Sequence, residues 1–192
     1  MARIILITGG ARSGKSHFAE EICRISGKKV GYIATSEIWD DEMAERVQIH
    51  KERRPASWQT WETPGGDKKI LQEACEKSEI LLFDCLTLYL THWIFHPEIP
   101  VEDEGKEKFV LGKVDELLEI FASWDGTVVF VTNEVGQGIV PNEKISRLFR
   151  DFAGKMNVRV AGAADEAYLI VAGHALPLKK LAVTSEEVIG AW

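Results

Sequence analysis

"RIILITGGARSGKSHF", residues 3–18, decides the architecture. Its first half, "RIILIT" (3–8), is a continuous β-branched apolar run ended by glycine, the pattern of a parallel strand buried on both faces. "SHFAEEICRIS" (16–26) reads as a helix stopped by Gly27. Between them Gly9-x4-Gly14-Lys15-Ser16 matches the G-x-x-x-x-G-K-[ST] phosphate loop, in the strand-to-helix setting that the motif demands. Phosphate oxygens carry dense negative charge. Glycines let the chain curl until several N–H groups converge on one centre, and the helix beginning near Ser16 adds its positive end. Lys15 supplies a full charge for the outer phosphates, and the Ser16 hydroxyl is placed to hold Mg²⁺. The residues Gly9, Gly10, Ala11, Arg12, Ser13, Gly14, Lys15 and Ser16 are therefore assigned to a nucleoside triphosphate. The cradle alone does not say what is done to it, because ATPases, kinases and nucleotide switches share it.

Outward from this unit the same alternation continues. Strands are predicted at 30–35, 58–62, 79–84, 127–132 and 166–173. Helices are predicted at 40–54, 67–77, 85–95, 106–124 and 141–161. Strand and helix alternating predict an α/β fold with a mostly parallel sheet. The chain has 192 residues, 45% of them apolar and 28% charged, which suits one nucleotide-binding domain over 1–180 with an extension of unknown role at 181–192. The net charge of −7 argues against a nucleic-acid partner, and no apolar run approaches membrane-spanning length. The cysteines Cys23, Cys75 and Cys85 are far apart and lack metal-site spacing, as expected of a reducing cytoplasm.

Three further stretches carry chemistry. Asp84 closes "ILLF" at a strand's carboxyl end, where an acid near Mg²⁺ sits; the alternative is a cap for the helix beginning at Cys85. "RVQIHKERRP" gathers Arg46, His50, Lys51, Arg53 and Arg54 in an otherwise acidic chain. His50 reads either as a half-buried histidine on the Met43/Val47 side of a helix or as a nucleophile toward phosphorus, favoured by cations that lower its pKa and neutralise phosphate. "VTNEVGQGIVP" (131–141) brings Asn133 and Glu134 to the same rim as the cradle, followed by a glycine-containing loop.

Taken together, "TGGARSGKS", "YIATSEIWDDEMAERVQIHKERRPASWQTWE", "DCLTLYLT", "VTNEVGQGIVP" and "RLFRDFAGKMN…AADE" resemble, in order and spacing, the bifunctional adenosylcobinamide kinase/adenosylcobinamide-phosphate guanylyltransferases of cobalamin synthesis, from about residue 3 to 180. The resemblance implies a RecA-like P-loop fold and a homotrimer. It implies phosphorylation of adenosylcobinamide by ATP or GTP, then transfer of GMP from GTP to the product. It places the guanylylated histidine on His50, with Lys15 as its catalytic partner. Nucleotide contacts extend to Arg53, Arg54, Glu62 and Asp84, and Mg²⁺ to Ser16 and Asp84. The chain departs from the family pattern at Ile49, where a second histidine is common, and at His92 and Val158. A plain P-loop small-molecule kinase and a non-enzymatic nucleotide-binding switch are the competing readings; neither forms a covalent guanylyl-histidine.

Overall fold

The apolar runs pair into one seven-stranded sheet. In the computed structural model, which describes residues 1–190 except the side chains of Glu42, Arg46, His50 and Arg53, the strands are β1 (Arg3–Gly9), β2 (Val30–Ala34), β3 (Gln59–Glu62), β4 (Ile80–Asp84), β5 (Thr127–Val131), β6 (Glu166–Val171) and β7 (His174–Pro177). Their order is β3-β2-β4-β5-β1-β6-β7. The first six are mutually parallel and only β7 runs antiparallel, against β6. Helices α1 (Lys15–Ile25), α2 (Asp41–Arg53), α3 (Lys68–Lys77), α4 (Leu86–Ile94), α5 (Asp103–Ala122) and α6 (Lys144–Ala163) connect them, and α7 (Leu178–Leu181) and α8 (Ser185–Gly190) follow β7.

Alternate residues of each strand enter two separate cores, as the period of two requires. On one face Leu6, Leu81, Phe83 and Phe130 pack beneath α3, α4, α5 and α6. Phe83, Phe121 and Phe130 meet edge to face there. On the other face Ile5, Ile7, Leu82 and Val129 pack beneath α1 through Ala19 and Cys23. Parallel pairing brings the carboxyl ends of β1, β5 and β4 to one rim. Because β5 separates β1 from β4, the acid ending β4 stands two strand spacings from the phosphate loop, about 10 Å.

Most boundaries shift by a residue or two, and three of the differences have a clear physical cause. The strand expected at 166–173 stops at Val171, because Ala172 (φ 50) and Gly173 (φ 80) both turn left-handed and send the chain back as β7. The helix expected from residue 141 begins at Lys144, since the Arg147 guanidinium donates to the carbonyls of Pro141 (3.0 Å) and Asn142 (2.6 Å) and folds that stretch outside the helix. α5 starts three residues before the expected 106, its first turn carrying Asp103 and Glu104 toward the positive helix end. No helix among the described residues is long and apolar enough to cross a membrane.

Candidate functional site

The phosphate loop owes its shape to two glycines. A methyl group on Gly9 would lie 2.6 Å from the Ile170 carbonyl oxygen and 2.7 Å from Ser13 Oγ, so only a bare Cα lets β1 turn so close to β6. Gly14 caps α1 at φ 99, a left-handed value that L side chains avoid. The β6–β7 turn braces the loop, with the Gly173 N–H donating to the Ser13 carbonyl at 2.9 Å. Gly10, Ala11, Arg12 and Gly14 are exposed, whereas Lys15 is buried and its Nζ donates to the Gly10 carbonyl at 3.1 Å. Burial pushes the Lys15 pKa down, against an opposing pull from Cys85 and Asp84. A lysine held this way carries a poorly solvated charge directed at the place where phosphate oxygens would gather.

Asp84 is not a helix cap: α4 is capped at Cys85, with no side-chain bond to its first turn. Instead its carboxylate accepts from the Tyr32 hydroxyl at 3.0 Å. Burial and the neighbouring Asp84 charge hold the Tyr32 pKa well above the usual phenol value, so the hydroxyl stays a donor. The Arg54 guanidinium lies 3.7 Å over the Tyr32 ring. Arg54 also reaches Thr60 Oγ1 at 3.4 Å, and Lys51 pairs with Glu62 at 2.9 Å. A chain Arg54–Tyr32–Asp84 thus runs from the basic end of α2 to the acid that attracts Lys15. Of the residues expected to bind nucleotide, Arg54 and Glu62 share a pocket of about 380 Å³ with Lys51, Trp58 and Thr60, whereas Asp84 lies outside its lining. The side chains of His50 and Arg53 lie outside the described residues; their backbones belong to α2.

A third group closes the rim beside β1. Glu134 Oε1 accepts from Thr8 Oγ1 (2.7 Å) and from Asn157 Nδ2 (3.0 Å), and the Glu134 N–H donates to the Gly9 carbonyl at 3.1 Å. The Asn157 amide also accepts from Thr132 Oγ1 at 2.7 Å and donates to the Asn133 carbonyl at 3.1 Å. Asn157 is buried on the inner stripe of α6 among Phe152, Ala153, Met156 and Val160. Sequence reading missed this role. The available signal was a lone amide on an otherwise apolar helical face, which folding tolerates only when its bonds are satisfied.

Ser16 and Asp84 offer a hydroxyl and a carboxylate, hard oxygen donors that suit Mg²⁺ bound with phosphate oxygens rather than a softer metal. Among the described residues no group of three or more His, Cys, Asp or Glu forms a metal centre of its own. A cation here would therefore depend on the bound triphosphate for part of its coordination.

Comparison with known proteins shows the family and the fold. Residues 5–178 match the family described as cobinamide kinase / cobinamide phosphate guanyltransferase. The chain is 40% identical over 182 residues to the bifunctional adenosylcobalamin biosynthesis protein CobU of Salmonella typhimurium, covering 92% of this chain and 99% of that protein. It is 39% identical over 174 residues to the bifunctional adenosylcobalamin biosynthesis protein CobP of Pseudomonas aeruginosa, covering 91% and 96%. Among solved structures, an ATPase from the type III secretion system of pathogenic bacteria superposes with TM-score 0.58 at 15% identity, over 100% of this chain and 62% of that one. That likeness bears on the fold alone, which is a RecA-like P-loop sheet.

Proposed function

This chain belongs to the cobinamide kinase / cobinamide phosphate guanyltransferase family, and we propose from that premise how its residues divide the two reactions. The enzyme phosphorylates the hydroxyl of adenosylcobinamide with a nucleoside triphosphate, then joins GMP from GTP to the new phosphate. The observation that carries the assignment is the chain Arg54–Tyr32–Asp84, which ties the basic end of α2 to the acid on the same rim as the phosphate loop.

In the kinase half the loop amides and Lys15 grip the triphosphate while the substrate hydroxyl attacks the γ-phosphorus; the bond from that phosphorus to the oxygen shared with the β-phosphate breaks, and the nucleoside diphosphate leaves. Glu134, fixed at the rim by Thr8 and Asn157, accepts the proton that the hydroxyl loses. In the transferase half a nitrogen of His50 attacks the α-phosphorus of GTP. The N–P bond forms as the bond from that phosphorus to the pyrophosphate oxygen breaks, and pyrophosphate leaves. An oxygen of the corrinoid phosphate then attacks the same phosphorus, the N–P bond breaks, and the imidazole is restored. Two in-line displacements replace one harder step. Arg53, Arg54 and Lys51 offset negative charge on the phosphates, and Glu62 holds Lys51 in place. Ser16 and Asp84 would hold Mg²⁺, which would supply positive charge against the negative charge developing in both reactions. By the same reading the enzyme is a cytoplasmic homotrimer that binds no nucleic acid.

One labelling experiment tests the scheme. Wild-type protein mixed with α-labelled GTP and Mg²⁺, then denatured, should carry acid-labile, base-stable label, and His50→Ala should carry none. Equal labelling of the variant would overturn the nucleophile. No labelling of either protein would leave a plain kinase or a switch.

A further inference from the structure

The helix that carries His50 is fastened by its flanks. No described residue of α2 is buried; among the described residues only Met43, Ala44 and Val47 are half-buried, a thin face to hold a helix in place. Its position follows from where the chain is tied before and after it. Before it, Thr35 is locked to the junction of β4 and α4: its Oγ1 accepts from the Cys85 N–H at 2.7 Å and donates to the Cys85 carbonyl at 2.8 Å. Two residues on, Glu37 Oε1 meets His92 Nδ1 at 2.9 Å. Beyond the helix, β3 runs into a turn in which the Gly66 N–H donates to the Thr63 carbonyl at 3.1 Å. Gly65 of that turn lies against the same imidazole. A methyl there would be 2.6 Å from His92 Nε2 and 2.9 Å from its Cδ2.

One ring therefore touches both flanks of the α2 excursion. The ring stands on firm ground, because α4 buries Leu86, Tyr89, Leu90 and Ile94 in the core. Trp93 and His96 crowd it further, with ring centroids 5.1 Å and 5.5 Å away. With Nδ1 protonated the imidazole donates to the Glu37 carboxylate, and its opposite edge stays against bare Gly65 backbone.

We infer that His92 is a positioning residue for guanylylation: by clamping Glu37 and Gly65 to α4, it sets where α2 presents His50 to the phosphate loop. The inference rests on the His50 reading above. It requires that loosening the clamp slow the step using α2 without weakening the grip of the loop on the triphosphate.

The test is single-turnover labelling with α-labelled GTP, with the GTP dependence of the rate and amide hydrogen exchange measured alongside. In His92→Ala and in Glu37→Gln the limiting rate of labelling should fall roughly fivefold, as expected for losing one half-exposed charge-assisted hydrogen bond. The GTP concentration at half-maximal rate should hold, and exchange across residues 36–56 should quicken. His92→Asn, whose amide can donate to Glu37, should recover most of the rate. The double variant should be no slower than His92→Ala. Labelling of both single variants within twofold of wild type overturns the clamp, as does a rate loss matched by an equal loss of GTP affinity. A wild type that takes no label, or a His50→Ala protein that does, refutes the parent reading instead. The exchange measurement then still reports whether His92 restrains α2.

Discussion

Gly9 and Gly10 are neighbours in the same motif, yet the structure predicts opposite responses to a single methyl group. Gly9 stands opposite Ile170 in the β1–β6 ladder. A methyl on it would meet the Ile170 carbonyl oxygen at 2.6 Å, well inside the 3.4 Å at which ordinary contact begins. That oxygen is backbone of a paired strand and cannot step aside without breaking the ladder. Overpacking of this kind costs about 1–3 kcal/mol. In a chain of this size that corresponds to a fall in Tm of roughly 2–12 °C for Gly9→Ala. If the loop gives way instead, its amides stop converging, and the same free energy appears as GTP binding weakened roughly 5- to 150-fold. A methyl on Gly10 meets nothing within 4 Å, so Gly10→Ala should stay within about 0.5 kcal/mol of wild type. Thermal melts of the ligand-free proteins and calorimetric titration with GTP and Mg²⁺ read both channels. If Gly9→Ala matches Gly10→Ala in stability and in affinity, the close-approach argument is wrong.

Two further substitutions separate binding from chemistry. Burial lowers the folded-state pKa of Lys15 below the ordinary lysine value of 10.5, so the unfolded chain holds that proton more tightly and stability rises with pH up to about that value. Lys15→Met should therefore raise the Tm of the ligand-free protein near neutral pH, with the gap over wild type closing as pH approaches 10.5, while GTP binding is lost; melts across that range check the sign. Glu134→Gln keeps an oxygen for Thr8 and Asn157 but loses the base. The kinase step should fall about 10²- to 10⁴-fold, with Tm and His50 labelling retained, as measured by separate assays of the two half-reactions.

The phosphate loop was legible because its meaning is local. An apolar run, a glycine turn and a helix start must adjoin in sequence to adjoin in space, and Gly9, Gly14, Lys15 and Ser16 carry that information without help from the rest of the chain. Asp84 was legible for a similar reason, since a strand's last residue reaches the rim whatever its neighbours are. Its partner was not. Nothing near Tyr32 in sequence says that its hydroxyl meets Asp84, because that pairing depends on β2 lying beside β4 with Ala34 level with Asp84. The β6–β7 hairpin escaped notice because Ala-Gly lacks the Asn-Gly or Asp-Gly signature of such turns, and the left-handed Ala172 is sustained by context. Asn157 was hidden by its stripe: in sequence it is one polar position on a core-facing helix, and only the fold shows Thr132, Asn133 and Glu134 arriving around it.

The strand order bears on why one cradle can serve two reactions. Glu134 follows the carboxyl end of β5, beside the phosphate loop, whereas α2 leaves from β2, three strand spacings from β1, or about 14 Å across the sheet. A base beside β1 needs little adjustment to meet a hydroxyl attacking the outer phosphate. A nucleophile arriving from β2 must be carried over the rim to meet an inner phosphorus. A helix packed into the core could not make that approach and later yield the space to a corrinoid phosphate, since leaving its seat would expose apolar surface each cycle. α2 avoids this cost by burying none of its described side chains and relying on polar ties at its ends: Glu37 to His92 before it, Arg54 to Tyr32 after it. Ties of that kind are worth a few kcal/mol at most, enough to favour one placement of the helix and small enough to be exchanged for contacts with substrate.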